Sequence, residues 1–181
     1  MKSKIIKVSI VGRTNAGKST LINKIIGETI SIQNKKINTT QETIIGIKNI
    51  KDTQILFYDT PGSNFLKNSD NQLKKLKQNL WNGIDESDLI LYMIDSHKIN
   101  MNFLYNQIDK IKEVKKKIII VFNKIDLISK KKLLPIISEI NNKCEIEAFF
   151  TLAAKKNIGI EGLLSELTKY SYPSKWIYSK E

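Results

Sequence analysis

The sequence predicts an α/β fold: a mostly parallel, six-stranded, doubly wound sheet with one antiparallel strand and helices on both faces. Three observations predict it. Short apolar runs alternate with stretches of helical spacing along the whole chain. The link between the second and third runs, Lys51–Thr53, is too short for a crossover, so that pair is antiparallel. A glycine-rich turn joins the first strand to the first helix, beyond the carboxyl end of a strand, where open α/β sheets bind their ligands.

The elements follow in order. Lys4–Gly12 reads as a buried strand, and Lys18–Gly27 as a helix that Gly27 stops. Glu28–Gln41 is polar without a period and reads as a long loop. Glu42–Lys51 and Gln54–Asp59 are the paired strands. Ser63–Asn71 is a loop and Gln72–Gly83 a helix, where Trp81 falls at helical spacing with Leu73, Leu76, Leu80 and Ile84. Asp88–Ile94 is a strand, Met101–Val114 a helix, and Lys116–Phe122 a strand of nearly continuous Ile and Val. Ser129–Asn142, Glu145–Thr151 and Ile160–Ser171 complete the pattern as helix, strand and helix. Trp176 lies in the Tyr172–Tyr178 stretch that follows, outside the expected domain.

Composition narrows the function classes. The chain has 181 residues, 41% of them hydrophobic and 27% charged, which suits one folded domain. One cysteine, Cys144, and one histidine, His97, exclude a disulfide framework and a Cys or His metal cluster. No apolar run is long enough for a transmembrane helix. No signal or transit segment opens the chain, so a cytoplasmic setting is expected. The net charge of +12 points to a polyanion, yet all but one of the 30 basic residues are Lys, with Arg13 the exception. Lys, Ile and Asn share A/T-rich codons, so codon bias and a polyanion site both remain open. Lys115–Lys117 and Lys130–Lys132 are the runs that could face RNA; otherwise they are solvated helix ends.

The chemistry lies in four short segments. Gly12-Arg13-Thr14-Asn15-Ala16-Gly17-Lys18-Ser19 fits the phosphate-loop pattern between a strand and a helix. Its glycines let backbone N–H groups face phosphates, and the helix adds its positive end. Lys18 reaches the β- and γ-phosphates and Ser19 offers a hydroxyl to Mg²⁺. Asn123-Lys124-Ile125-Asp126 follows the Lys116–Phe122 strand. The Asp126 carboxylate can accept from guanine N1–H and its 2-amino group, a pair of donors adenine lacks. Asn123 contacts the base edge and braces the loop, and the Lys124 stem covers one face of the base. Asp59-Thr60-Pro61-Gly62 ends a strand; Asp59 holds Mg²⁺ through a water and Gly62 N–H senses the γ-phosphate. Thr39-Thr40 lies in the long polar loop, with Thr40 the expected second Mg²⁺ hydroxyl. Lys18, Thr40 and Gly62 are thus the expected catalytic groups.

Together these segments resemble the translation-factor-related GTPases, most closely the Era type, over essentially the whole chain. The resemblance runs through Thr20-Leu21-Ile22-Asn23, Ile44–Ile47, and the Asp88–Leu91 run ending in Asp95-Ser96. The family's Ser-Ala-Lys segment stands here as Ala153-Ala154-Lys155, without its serine, which implies weakened guanine binding. The resemblance implies a P-loop GTPase domain over residues 1–171 that binds GTP and GDP, needs Mg²⁺, and serves 16S rRNA and the small ribosomal subunit in a bacterial cytoplasm. Association at the periphery of the inner membrane stays open. It implies K⁺ beside the phosphates at Asn15, against the alternative that Asn15 only caps the loop. Ser63 stands where Ras-like GTPases keep glutamine, and Gln72 is too distant to replace it, so slow hydrolysis is expected, with positioning and charge neutralisation lowering the barrier. Residues 172–181 resemble the lead-in to the RNA-binding KH domain that follows in Era-type proteins, so the length reads as half of that architecture. The alternatives are a single-domain EngB-like GTPase, the GTPase domain of an iron transporter or tRNA-modifying enzyme, and a GTP-gated binding module without turnover.

Overall fold

The computed structural model describes residues 3–27, 44–59, 84–113 and 115–179. Its strands are β1 (Lys4–Gly12), β2 (Ile44–Ile50), β3 (Thr53–Asp59), β4 (Leu89–Asp95), β5 (Lys117–Asn123), β6 (Ala148–Thr151) and β7 (Tyr172–Pro173). Its helices are α1 (Lys18–Ile26), α2 (Met101–Lys112), α3 (Leu133–Lys143) and α4 (Ile160–Lys169). The strands lie in the order β2-β3-β1-β4-β5-β6. All neighbours are parallel except β2 and β3, which turn tightly with Lys51 left-handed at φ 53. The α/β class and the antiparallel pair are therefore as expected.

The sheet has seven strands rather than six. β4 pairs with β1 only from Val8 onward, which leaves the edge of Lys4 and Ile5 open on that side. β7 fills it, antiparallel, as Lys4↔Pro173 and Ile5↔Tyr172. Trp176 Nε1 donates to Asp52 O at 3.1 Å, so the Tyr172–Tyr178 stretch lies against the β2–β3 turn.

Strand periodicity builds two cores. Leu89, Leu91 and Met93 point to one face of β4, with Ile6, Val8, Ile10, Leu21, Ile25, Leu163 and Leu167. Ile90, Tyr92 and Ile94 point to the other, with Leu104, Ile108, Ile111, Leu133 and Ile140. Helices therefore cover both faces, and the central strands β4 and β5 carry nearly continuous apolar runs, Leu89–Ile94 and Ile118–Phe122, as suits parallel strands buried on both faces. Ile84 is fully buried in the second core; the other residues grouped with Trp81 lie outside the described residues.

Among the boundaries that differ from expectation, three do so for clear local reasons. The Ser129–Asn142 helix begins as a 3-10 turn, Lys130–Lys132, and becomes α-helical at Leu133. Pro135 has no N–H, so it fits only in a first helical turn. The Glu145–Thr151 strand begins at Ala148, after Glu147 N–H donates to Ile118 O at 2.9 Å. The Met101–Val114 helix closes at Glu113, and Lys115 beyond it is left-handed at φ 53.

Candidate nucleotide site

The carboxyl ends of β1, β3, β4 and β5 form one edge, and every expected motif that is described lies there. Gly12 ends β1, and in register Asp59 sits beside Ile10 and Asp95 beside Asn123. Gly12 allows close approach: a Cβ there would run into the Met93 carbonyl. Gly17 is left-handed at φ 100, and a Cβ on it would strike Asn123 Nδ2. The phosphate loop and the guanine loop therefore touch at a point where only glycine fits.

Lys18 opens α1 and is 8% exposed. Its Nζ donates to Gly12 O and to Arg13 O, both at 3.0 Å, so the ammonium lies across the loop. The first turn of α1 holds no acidic residue, so its N–H groups and positive end keep their affinity for an anion. Ser19 and Thr20 lie on the exposed side of that turn, Thr14 and Asn15 on the exposed loop, and Ala16 is buried beneath them. Arg13 stacks over the Phe103 ring of α2 at 4.7 Å, which gives it a structural role at the loop entry.

Asn123 is 2% exposed. Its Nδ2 donates to Ala16 O at 2.8 Å, and its Oδ1 accepts from Ala154 N–H at 3.0 Å. One amide thus joins the phosphate loop, the end of β5 and the Ala153-Ala154-Lys155 turn. Any contact of Asn123 with a base would use the second Nδ2 hydrogen. Lys124 is left-handed at φ 63, and its Nζ donates to Asn15 O at 2.7 Å and Asp95 Oδ2 at 2.6 Å. Ile125–Leu127 forms a 3-10 turn that presents Asp126, whose Oδ2 lies 3.2 Å from Lys156 Nζ. Ala153 and Ala154 are buried, and Lys155 is exposed.

Sequence reading passed over Asp95, Lys156 and Phe103 as functional neighbours. The available signal was Asp95 itself, a carboxylate at a strand's carboxyl end facing the same edge. His97 is exposed and its backbone N–H donates to Asp95 Oδ1 at 3.0 Å. Lys116 Nζ donates to Asp85 O at 2.5 Å and to Ser87 O at 2.6 Å, and Lys117 lies 3.8 Å from Glu147, so this run sits at the opposite end of β5 from Asn123. Thr39, Thr40, Thr60, Pro61, Gly62, Ser63 and Gln72 lie outside the described residues, as does the Asp59 side chain. Among the described residues, no group of three or more His, Cys, Asp or Glu side chains could hold a metal. No described helix is long and apolar enough to cross a membrane. Ser19 supplies the one expected Mg²⁺ donor whose side chain is described; its exposed hydroxyl is a hard oxygen ligand that suits this ion.

Comparison with known proteins agrees with this geometry. A family model described as 50S ribosome-binding GTPase matches residues 7–124. GTPase Era of Rickettsia conorii is 37% identical over 98% of the chain and 52% of its own length. A crystal structure of Era in complex with MgGDPNP and nucleotides 1506–1542 of 16S ribosomal RNA superposes with a TM-score of 0.78 at 33% identity, over 98% of this chain and 60% of that one. An Aquifex aeolicus Era variant bound to GDP and AlF4⁻ gives 0.77 at 32% identity, over 97% and 60%. The chain spans about half the length of the curated relatives it matches. With its phosphate loop and guanine loop locked together by Asn123, the chain belongs to the 50S ribosome-binding GTPase family, and over nearly all its length it is similar to the Era GTPases.

Proposed function

We propose that the protein is an Era-type GTP-binding and GTP-hydrolysing switch, acting in maturation of the small ribosomal subunit through 16S rRNA. The observation that carries this reading is the Asn123 bridge between Ala16 and Ala154, which couples phosphate binding to base recognition. The N–H groups of the phosphate loop and of the α1 first turn hold the phosphates. Lys18 is already aimed across the loop, and exchanging two carbonyl acceptors for phosphate oxygens strengthens its interactions as charge develops. Asp126 reads the guanine edge and the Lys124 stem covers its face. Ser19, Thr40 and Asp59 would hold Mg²⁺, which supplies charge neutralisation at the phosphates. Thr40 and Gly62 would act on the γ-phosphate, and their loops would relax after hydrolysis.

The same proposal includes residues 1–171 as the GTPase domain and 172–181 as the lead-in to a KH domain. It also includes K⁺ at Asn15, a bacterial cytoplasmic setting and peripheral contact with the inner membrane. The relative solved with 16S rRNA supports the rRNA assignment over a large-subunit role suggested by the family description. The test is calorimetric titration with GDP, GTP and ATP, then phosphate release in K⁺ and in Na⁺. Guanine-selective binding with Mg²⁺-dependent release is expected, faster in K⁺. Equal affinity for ATP overturns the base assignment, and binding without release in either salt leaves a GTP-gated binding module.

A further inference from the structure

The guanine loop carries two charged side chains, and each meets an opposite charge from outside the motif. Lys124 reaches Asp95 at the end of β4, and Asp126 reaches Lys156 after the Ala153-Ala154-Lys155 turn. We propose that Asp95 and Lys156 are positioning residues of the guanine site: they fix Lys124 and Asp126 without touching the nucleotide. The inference rests on the guanine reading above.

Asp95 is placed with little freedom. β4 and β5 pair in register there, and Ser96 N–H donates to Asn123 O at 3.0 Å beyond the last pair. The turn that follows is closed by Lys98 N–H on Asp95 O and His97 N–H on Asp95 Oδ1, both at 3.0 Å. With Oδ1 committed, Oδ2 faces Lys124 at 2.6 Å. The same ammonium donates to Asn15 O, and Asn15 is left-handed at φ 66 while Lys124 is left-handed at φ 63. Two residues in an uncommon backbone conformation are thus tied by one ammonium, and Asp95 sets where it sits. The Lys124 stem that covers the base hangs between two fixed points, its Cα and its Nζ.

Lys156 acts on the other side. Asp126 needs both carboxylate oxygens for the two guanine donors, and each oxygen keeps a second lone pair. Lys156 Nζ lies 3.2 Å from Oδ2 and so orients the carboxylate while leaving its other acceptor positions open. Among the described residues, Lys156 is the one ion-pair partner of Asp126. Ala153 has no hydroxyl to offer on that turn. The Lys156 side chain is 59% exposed against 32% for Lys124, so its effect is the smaller.

The test is fluorescence titration of the whole chain with N-methylanthraniloyl-GDP and the corresponding GTP analogue. Asp95→Asn keeps an acceptor for His97 N–H and removes the charge facing Lys124. It should weaken both nucleotides alike, by about tenfold, as a partly screened charged hydrogen bond does. In a Lys124→Ala background the same change should cost nothing, because the residue acts through Lys124. Lys156→Ala should weaken binding by about two- to threefold. It should also lower selectivity for GDP over inosine diphosphate, which lacks the 2-amino donor, and Lys156→Arg should restore it. Losses that add to those of Lys124→Ala, or wild-type affinity in Asp95→Asn with only Asp95→Ala impaired, overturn the role of Asp95 and leave a turn residue. Unchanged base selectivity in Lys156→Ala overturns the role of Lys156. If the wild-type protein binds no guanine nucleotide, the guanine reading itself fails, which the variant comparisons do not mimic.

Discussion

The two ends of the sheet solve the same problem with opposite results. At the carboxyl end, a buried amide, Asn123, satisfies backbone groups of two distant loops. At the amino end, another buried amide, Gln54, does the same. Its Nε2 donates to Tyr178 O and Asn49 Oδ1, and its Oε1 accepts the N–H groups of Ile177 and Tyr178. Around Gln54 every partner belongs to the protein: Ser3 Oγ donates to Ser174 O at 2.7 Å, and Trp176 Nε1 to Asp52 O. Beside the Asn123 brace a cation, Lys18, lies against the Gly12 and Arg13 carbonyls, and the positive end of α1 holds no acidic residue. One clamp closes a structure, and the other holds open a place for an anion. The difference lies in what surrounds the amide, since a buried amide must be satisfied in either setting.

The largest effect should come from breaking the carboxyl-end clamp. Asn123→Ala leaves the Ala16 carbonyl and the Ala154 N–H without their partner. Each lost buried partner costs on the order of 1–3 kcal/mol, so urea unfolding should show a drop of about 3 kcal/mol. The loops that meet phosphate and base also separate, so GDP affinity should fall by at least about a hundredfold, more than stability alone accounts for. Gly17→Ala tests the same contact from the other side. It puts a methyl group where Asn123 Nδ2 sits and should cost nucleotide affinity with a smaller change in stability.

Gln54→Ala is the matching break at the amino end. It removes acceptor and donor from Ile177, Tyr178 and Asn49, and should destabilise by about 2–3 kcal/mol. Amide exchange at Ile177 and Tyr178 should rise well above that of β5, while GDP affinity stays within about twofold of wild type in the folded protein. A large loss of affinity here would show that the two ends are coupled through β3, and the contrast would fail. Trp176→Phe removes one hydrogen bond of the same group and should cost about 1 kcal/mol.

How much of this was legible follows the same division. The phosphate loop, the antiparallel pair and the guanine loop were readable because each is a local rule: a turn, a period or a short spacing. β1 and α1 begin where the sequence places them for the same reason. The Asn123–Ala16 contact joins residues 107 positions apart and Gln54–Tyr178 joins residues 124 apart, so no window on the chain contains either. Gln54 still left a trace, as a polar side chain inside the buried run Thr53–Tyr58, which demands a partner without naming it. Asp95 and Lys156 left less, because charges are common on this lysine-rich chain and their meaning comes from the neighbours the fold supplies. The seventh strand was unreadable for a different reason: two residues carry no period.

A site on neither end sets the lower bound of these effects. Glu139 on α3 accepts from Lys143 Nζ at 2.8 Å and from Tyr105 OH of α2 at 2.9 Å, and Lys143 lies over the Tyr105 ring. The hydrogen bond from Lys143, then that from Tyr105, holds the Glu139 carboxyl below its ordinary value. A carboxyl lowered on folding adds stability above its unfolded value and loses it as pH falls through the folded one. Glu139→Gln should therefore flatten the acid limb of the stability profile slightly between about pH 5 and pH 3, with no change near neutrality in nucleotide affinity. The group is exposed, so solvent and salt screen it, and the effect should shrink further in high salt. This interaction also joins two elements, but it is charged and exposed where the two clamps are neutral and buried. An acid limb changed as much by Glu139→Gln as unfolding is by Gln54→Ala would mean that an exposed charged contact can match a buried neutral one, and that enclosure is not what sets the two clamps apart.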